Sequence, residues 1–583
     1  MTATENCCEK NVEDEATLNQ LQILGEGGLW LWIIFLLTAS TGIFNGTHVS
    51  SYVFLGSMPD AHWCEVPELS NLGWTDEQIR NVSVPGGLDN LLSCTMYQRN
   101  YSIFENMDPD EIQRYLEAHV DDPTTRCEYG MKYLQESGVS MVPEWDLVCE
   151  NLALRSTVQV ALSIGKFIGA FIFGIISDKY GRKISFLSSS VVYIISAPLA
   201  AAARGYVVFL LLRLLIGAAG SGVYHTAYTL LTEVAGPRHR SWMSIVFNLS
   251  YPIGMLILAA TAYHVPQWRD LQLAISLPTV ILLLHCWYLP ESPRWLINKG
   301  RSAEASKIVF GAKFVPDTVL DNGSAKDKYT KVEDGRSLQV DHTCQSNQNV
   351  AYAEKTAKNV LLEKLKKSVN EMTALFSHKE MRRRLFICHF AWMGTSLSYY
   401  AMALNVDNFA ADRYVYVALT GALEIPSYFV PLPMLRCFGR RIINFILFMT
   451  ASLCLLSILA IPQESSIALM IVGLVGRLCI SGVFSVVILH TSELFPTLNR
   501  NSAIGSSSTM AHVGSIAAPY IVDLLGALAW FIPTTICGAF ALASGFLVLL
   551  LPETKGKALC DTLEEIDSPG QGKVSVKNLC HSS

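Results

Sequence analysis

The chain has 583 residues, of which 51% are hydrophobic and only 16% are charged, with a mean hydropathy of +0.31. Soluble proteins carry about a quarter charged residues, so a soluble enzyme, a disordered chain and a secreted disulfide scaffold are poor fits. The formal net charge of −6 gives no reason to expect a nucleic acid partner, because such proteins need a clustered basic face. An integral membrane protein remains, with the lipid bilayer as its solvent.

Apolar stretches long enough to cross a hydrocarbon layer of about 30 Å recur through the chain, since about 20 helical residues suffice. We predict twelve spans at 29–51, 154–176, 183–203, 206–231, 242–262, 268–289, 383–404, 412–434, 441–461, 466–491, 500–524 and 527–550. Spans two to six therefore occupy 154–289, and spans seven to twelve occupy 383–550. Two long segments, 52–153 and 290–382, separate them.

Lysine and arginine in the short connectors predict the orientation, because cytoplasmic loops carry the excess. The basic connectors are DKYGRK at 178–183, GPRHR at 236–240, RCFGRR at 436–441 and TLNR at 497–500. All of them fall on one side, which we expect to be the cytoplasm. The even number of spans then places both termini, 1–28 and 551–583, on that side. The N-terminal residues are acidic and lack a basic region with a cleavage site, so the first apolar run is predicted to be a retained span.

The segment 52–153 is predicted to be an extracellular loop. It contains 18 acidic against 5 basic residues and has glycosylation sequons at Asn81 and Asn100. Its four cysteines are Cys64, Cys94, Cys127 and Cys149. In an oxidising space they are expected to form two disulfides, with three possible pairings. The segment 290–382 is polar and is expected to be a cytoplasmic loop with short surface helices at 301–312 and 354–372.

The two halves carry matching motifs at the ends of corresponding spans, which predicts a structural repeat around a central pathway. The second span ends GIISDKYGRK and the eighth ends PMLRCFGRR, so both end in glycine followed by two basic residues. The fourth and tenth spans each place a glutamate seven residues before an arginine: Glu233 before Arg240, and Glu493 before Arg500.

These motifs resemble the major facilitator superfamily and, within it, the organic cation, carnitine and organic anion transporter family of solute carrier 22 type. GIISDKYGRK is similar to the superfamily's loop motif, whereas PESPRWL at 290–296 and TSELFPT at 491–497 are typical of the narrower family. The resemblance covers almost the whole chain. It implies an all-α integral membrane protein with the major facilitator fold, twelve transmembrane helices in two six-helix bundles. In the second copy of the loop motif Leu435 replaces the acidic residue, so the ion pairing expected there is weakened.

Charged residues at the cytoplasmic helix ends are candidates for gating, because ion pairs there can hold one conformation and break in another. We assign this role to Asp178, Arg182, Glu233, Arg240, Glu493 and Arg500. The alternative is that they only solvate and orient the helix ends.

Ionisable residues near the bilayer centre are rare because their burial is costly, so they are candidates for substrate binding. They are His225, Glu424, Arg477 and His512, together with Arg213 at the place in the fourth span that matches Arg477 in the tenth. The matching positions favour a structural role for the two arginines, although each could also face the cavity.

Tyrosines near the middle of two spans are candidates for an aromatic cage. Tyr224 and Tyr228 are four residues apart on one face of the fourth span, and Tyr399 and Tyr400 lie in the seventh. Aromatic faces attract organic cations. The family resemblance places Tyr224, Tyr228 and Tyr400 in the pocket, while the alternative is ordinary packing.

Glu424 is the expected counter-charge for an amine; the alternative is an ion pair with a buried arginine. His512 stands where cation carriers similar to this family usually have Asp and carnitine or anion carriers usually have Arg. A neutral His512 favours amines, whereas a protonated one admits zwitterions or anions. We therefore expect a small organic cation or zwitterion as substrate, with an anion as the alternative.

The sequence contains no HExxH, GxSxG or Walker-type motif, so we expect no enzyme, no cofactor and no catalytic metal. The predicted function is secondary or facilitative transport across the plasma membrane by alternating access, with a transporter-like receptor as the alternative. The coupling ion cannot be read from the sequence. The fold suffices as a monomer, and weak self-association is compatible with it.

Overall fold

The computed structural model describes residues 3–87, 91–134, 138–311, 373, 376–406, 412–462, 465–496 and 499–555. The helix predicted at 354–372 and most of the tail predicted at 551–583 lie outside these residues. Each of the twelve predicted spans has a helical counterpart among the described residues.

The first half of the chain contains spans one to six. Their bounds are Leu29–Ser50 for the first, Leu152–Tyr180 for the second, Arg182–Ala201 for the third, Tyr206–Val234 for the fourth, Pro237–Asn248 with Ser250–His264 for the fifth, and Trp268–Ser276, Leu277–Ile281 and Leu282–Tyr288 for the sixth. Short helices follow at Pro293–Asn298 and Ser302–Phe310, the second matching the surface helix predicted at 301–312. An N-terminal helix, Ala3–Leu24, packs against the latter, where the hydroxyl oxygens of Thr17 and Ser306 lie 2.8 Å apart.

The second half contains spans seven to twelve. Their bounds are Lys379–Leu404 for the seventh, Arg413–Ser427 with Pro431–Cys437 for the eighth, Arg440–Ser457 for the ninth, Ser466–Leu494 for the tenth, Arg500–Tyr520 with the π-helical turn Ile521–Leu525 for the eleventh, and Ile532–Val548 for the twelfth. Within the described ranges, nine helices are long and apolar enough by length and composition to cross a membrane. The seventh span is more charged at its start, the sixth is broken into segments, and the twelfth has only 17 residues.

Small residues let the helices of the first half approach closely. A Cβ atom added at Gly169 in the second span would lie 2.2 Å from the carbonyl oxygen of Ala218 in the fourth. In return, a Cβ at Gly217 would lie 2.1 Å from the carbonyl oxygen of Leu162. Without a hydrophobic driving force inside the bilayer, such close backbone contact is a main source of helix association. The two halves meet where the second span packs on the eleventh and the fifth packs on the eighth.

A small domain, residues 56–151, lies between the first and second spans and is called the cap domain here. Its strands pair antiparallel, His62–Cys64 with Met131–Tyr133 and Thr95–Tyr97 with Thr124–Arg126. Its helices are Pro67–Asn71, Asp76–Ser83, Tyr101–Asn106, Pro109–Ala118, Met141–Glu144 and Cys149–Asn151. We call the end of the bundle that carries this domain the cap end, and the opposite end, with Asp178 and Glu493, the loop-motif end.

The four cysteines of the cap domain are paired, Cys64 with Cys127 and Cys94 with Cys149, which selects one of the three pairings left open by the sequence. Both sequon asparagines, Asn81 and Asn100, are exposed. The Asn100 side chain also accepts a hydrogen bond from the backbone of Ser102 through Oδ1, which leaves its amide nitrogen accessible.

Candidate substrate site and gating contacts

A cavity of about 650 Å³ lies between the two halves of the bundle. Such a volume is within the range of small-molecule sites. Six tyrosines line it: Tyr224, Tyr228, Tyr251, Tyr399, Tyr400 and Tyr428. The four predicted cage tyrosines are thus brought to one cavity from the fourth and seventh spans, and the fifth and eighth spans contribute two that the sequence did not single out.

Some of these tyrosines are fixed by neighbours in the first half. Tyr224 donates its hydroxyl to Asn248 Oδ1 at 2.7 Å, and its ring centroid lies 4.9 Å from that of Phe247. Tyr228 packs on the same phenylalanine, with centroids 5.3 Å apart. Because the two rings share a face of the fourth span, they form an aromatic wall of the cavity.

Glu424 lines the cavity but is only 3% exposed, and it has partners within the second half. Tyr399 Oη donates to Glu424 Oε1 at 2.7 Å, and Arg477 Nη2 lies 3.4 Å from Glu424 Oε2. Arg477 also donates to the Tyr399 carbonyl at 2.9 Å, and its guanidinium lies 4.3 Å from the centre of that ring. Glu424 and Arg477 therefore form a buried pair whose charges compensate each other.

Arg213, at the matching place in the fourth span, is fully buried within the first half. It donates to Ser51 Oγ at 3.1 Å and to Gln159 Oε1 at 3.3 Å. The matching arginines thus have different partners, an acid for Arg477 and neutral oxygens for Arg213.

The predicted histidines both line the cavity. His225 Nδ1 donates to the Ser221 carbonyl at 2.8 Å. Ser221 lies four residues earlier in the fourth span, so this bond forms within one turn of the helix. His512 reaches the cavity from the eleventh span, where its ring centroid lies 5.5 Å from that of Phe167. The two imidazoles come from different halves, so the cavity wall that they share is created by the packing of the halves.

At the loop-motif end of the first half, Arg182 connects the second, third and fourth spans. Its Nη2 lies 2.7 Å from Glu233 Oε1 and its Nη1 3.3 Å from Asp178 Oδ1, although the Asp178 side chain is 65% exposed. Glu291 accepts hydrogen bonds from the backbone nitrogens of Arg182 and Lys183, at 2.7 and 3.2 Å, and so caps the start of the third span. A carboxylate at a helix N-terminus is favoured by the free N–H groups and the helix dipole.

The second half repeats this arrangement, with Arg440 and Glu493 at the positions of Arg182 and Glu233. Arg440 Nε lies 3.0 Å from Glu493 Oε2, so it takes the place of Arg182. Glu553 accepts from the backbone of Arg440 and Arg441 at 2.8 and 3.1 Å, capping the ninth span as Glu291 caps the third. Partial burial would raise the pKa of Glu553, but the backbone N–H groups of Lys555, Arg440, Arg441 and Thr554 outweigh it and lower the pKa.

The remaining gating candidates, Arg240 and Arg500, lie at the same end of the bundle, one in each half. Arg240 Nη2 donates to the Ala235 carbonyl at 3.1 Å, at the start of the fifth span. Arg500 opens the helix Arg500–Tyr520 and is half-buried. The glutamates seven residues earlier, Glu233 and Glu493, contact Arg182 and Arg440.

At the cap end, polar contacts around Asp523 join the two halves. Arg155 Nη1 lies 3.1 Å from Asp523 Oδ1, while Ser156 Oγ and Tyr52 Oη donate to Oδ2 at 2.6 and 2.9 Å. Asp523 is 6% exposed and Arg155 7%. The second span and Tyr52, which follows the first span, are thereby tied to the eleventh span at this end.

Comparison with known proteins gives the family. The model of the sugar (and other) transporter family matches residues 117–568. An organic cation transporter protein of Drosophila melanogaster is 31% identical over 554 residues, 94% of each chain. Solute carrier family 22 member 2 of Homo sapiens is 30% identical over 559 residues, again 94% of each chain. The chain belongs to the sugar (and other) transporter family, in its solute carrier 22 branch.

The family confirms the predicted resemblance and identifies this chain as a transporter rather than an enzyme. Solved structures confirm the fold. The xylose transporter XylE of E. coli, in a partially occluded inward-open conformation, matches 91% of this chain and all of its own with a TM-score of 0.54 at 14% identity. A D-xylose-proton symporter matches with a TM-score of 0.55 over the same share. The transporter is thus an all-α membrane protein of the major facilitator fold, and it carries organic ions.

Two charged residues were missed by the sequence reasoning, one in the cavity and one at the cap end. Lys166, in the second span, lines the cavity and donates to Tyr400 Oη at 3.0 Å. A signal was available, since it is a lone charge in the apolar run VALSIGKFIGA. Arg155 had no such local signal, because its partner Asp523 lies 368 residues away in the sequence.

Proposed function

We propose that this transporter carries small organic cations or zwitterions across the plasma membrane by alternating access through the cavity between its halves. The observation that carries the proposal is that six tyrosines and Glu424 line one cavity, in which Tyr399 and Tyr428 donate to the Glu424 carboxylate. Aromatic faces attract a cationic head group by about 0.5–2 kcal/mol each, and more where water is excluded. Relatives whose names describe them as organic cation transporters support the same substrate class.

The alternating mechanism needs contacts that form in one state and break in the other. The Asp523 cluster closes the cap end, which the basic connectors assign to the extracellular side. The pairs of Arg182 with Glu233 and Arg440 with Glu493 lie at the opposite end, each within one half. We propose that the halves rock about the cavity, so that the Asp523 cluster opens when the loop-motif end closes. The transporter holds no nucleotide-binding motif, so substrate or ion gradients supply the energy.

The test must separate binding by Glu424 from its pairing with Arg477. Replacing Glu424 alone leaves a buried arginine without its partner, which costs about 3–5 kcal/mol and is expected to reduce surface expression. The double substitution Glu424→Gln with Arg477→Gln removes both charges and is expected to restore it. Uptake is then measured for three labelled compounds of similar size: a quaternary amine, a zwitterion and a dicarboxylate.

The proposal expects the wild type to take up the amine or the zwitterion, and the double variant to reach the surface without amine uptake. If the double variant takes up the amine as the wild type does, Glu424 only compensates the charge of Arg477 and does not bind the substrate. Uptake of the dicarboxylate alone by the wild type would establish the alternative, an organic anion transporter. Binding without flux would establish a receptor.

A further inference from the structure

The charges that face the cavity do not balance. Among the described lining residues, Lys166 is the one lysine or arginine and Glu424 is the one aspartate or glutamate. Glu424 is compensated by Arg477, whereas no described carboxylate lies within 4 Å of the Lys166 ammonium. The cavity therefore presents a surplus of one positive charge near the middle of the second span.

The Lys166 ammonium is placed to bind a ligand. It lies 3.0 Å from Tyr400 Oη, which accepts one of its three N–H groups. The two remaining N–H groups have no hydrogen-bond partner among the described residues. His225 and His512 line the same cavity, one from each half. The single N–H of a neutral His225 is already donated to the Ser221 carbonyl, whereas a neutral His512 offers one further N–H donor. An ammonium with a further N–H donor in the same cavity is the kind of set that binds a carboxylate.

An uncompensated charge inside a membrane protein is costly, so such residues generally have a partner or a function. From Lys166 we infer that the substrate carries a carboxylate as well as an amine, so that the transporter prefers zwitterions such as betaines or amino acids. The inference rests on the proposed function and makes Lys166 its specificity-determining residue. The carboxylate binds at Lys166, and the ammonium lies against the tyrosines on the Glu424 side.

A series of contacts connects Lys166, where the carboxylate would bind, to Glu424, where the ammonium would lie. Lys166 contacts Tyr400, whose ring centroid lies 5.3 Å from that of Tyr399, and Tyr399 in turn donates to Glu424. This chain of contacts runs from the second span in the first half to the eighth span in the second half. A zwitterion that spans it contacts both halves at once, whereas a simple amine has no group for the Lys166 end.

The experiment compares labelled choline with labelled glycine betaine, which share the trimethylammonium group and differ in the presence of a carboxylate. Uptake is measured at known surface expression for the wild type, Lys166→Met, Lys166→Arg and the control Lys307→Met. Lys307 is exposed on the short helix Ser302–Phe310, away from the cavity. Lys166→Arg keeps the charge, and Lys166→Met keeps the length of the side chain without it.

The inference predicts that the wild type takes up betaine at least tenfold faster than choline. Lys166→Met is expected to lose at least tenfold of betaine uptake while choline uptake is unchanged or increased, and Lys166→Arg is expected to retain betaine uptake. The preference of the wild type tests the inference even if Lys166→Met does not reach the surface.

Three results would overturn it: choline uptake by the wild type equal to or greater than that of betaine, an equal loss of both compounds in Lys166→Met, or no loss of either. In each case the proposed amine transport still stands. Uptake of neither compound, nor of any other amine, by wild-type protein at the surface would instead contradict the proposed function together with the inference.

Discussion

The contacts around Asp523 make a specific prediction about the conformational equilibrium. Asp523→Ala removes the carboxylate that accepts from Tyr52, Arg155 and Ser156 at the cap end. If these contacts exist only while the cap end is closed, their loss shifts the population towards the state that is open there. The perturbation acts away from the cavity, so it changes the equilibrium and not the substrate site.

The size of the shift follows from burial. Removing one partner of a buried ion pair typically costs about 3–5 kcal/mol, because the other charge is left uncompensated. Asp523 and Arg155 are 6% and 7% exposed, so their pair falls in this class. Water can reach Arg155 once the cap end opens, so the cost of its unpaired charge is smaller in the open state. A difference of even about 2 kcal/mol between the two states would change the ratio of open to closed molecules about thirtyfold.

The assay is the rate at which a membrane-impermeant maleimide labels a cysteine introduced at Ser50. This residue lines a small cavity with Tyr251 and Tyr416, on the cap side of the central one. Labelling is expected to accelerate at least tenfold in Asp523→Ala relative to the wild-type background. The same variants without the Ser50→Cys change report labelling of the native cysteines.

The matched control is Glu144→Gln. Glu144 pairs with Arg269 at the cap end, but both residues belong to the first half, so this pair is not expected to control opening. An equal labelling rate in Asp523→Ala and the wild type would refute the reasoning. So would equal acceleration in Glu144→Gln, because the effect would then reflect general loosening of the cap end.

The other predictions concern packing and the cap domain. Gly169→Val is expected to abolish surface expression, measured by surface biotinylation, because its Cβ would lie 2.2 Å from the Ala218 carbonyl oxygen. The control Gly174→Val is expected to be tolerated, since no atom lies within 4 Å of the added Cβ. Equal surface expression of the two variants would contradict the packing described. Burial lowers the pKa of His62 below its ordinary value of 6.5, so the folded cap domain disfavours protonation of this histidine. The contribution of neutral His62 to the stability of the cap domain is therefore complete above about pH 6.5. It is lost as the pH falls from 6.5 towards the lower pKa of the folded state. Protection of Met131–Tyr133, the strand paired with His62–Cys64, against hydrogen exchange is measured relative to the intrinsic exchange rate at each pH. The protection is expected to fall below pH 6.5 in the wild type and not in His62→Gln, and parallel profiles of protection against pH would exclude His62 as the cause.

Much of the bundle could be predicted because hydropathy determines it locally. Each span is a predominantly apolar run, so its existence follows from the sequence, while its ends depend on local breaks. The fifth span, for example, starts at Pro237 and not at the predicted 242, since the helix includes the polar residues of the connector 236–240. The eleventh span ends in a π-helical turn that places Asp523, and no sequence pattern announces that turn.

The candidate site divides in the same way. Four of the six tyrosines and both histidines could be predicted from their depth in the spans, and the structure brings them to one cavity. The structure shows the alternative stated for Glu424, an ion pair with a buried arginine, but the sequence could not identify which arginine, because Arg477 lies 53 residues away on another helix. The capping acids were open to prediction from a repeat, since LPES at 289–292 and LPET at 551–554 place Glu291 and Glu553 at corresponding positions in the two halves.

The central claim is transport by alternating access, and counterflow in proteoliposomes tests it most directly. Purified wild-type protein is reconstituted, the vesicles are preloaded with unlabelled amine or zwitterion, and entry of the same labelled compound is followed without any ion gradient. The account predicts that preloading accelerates labelled uptake severalfold and produces a transient overshoot. Saturable binding of the labelled compound with no dependence on preloading would contradict it and leave a receptor in place of a carrier.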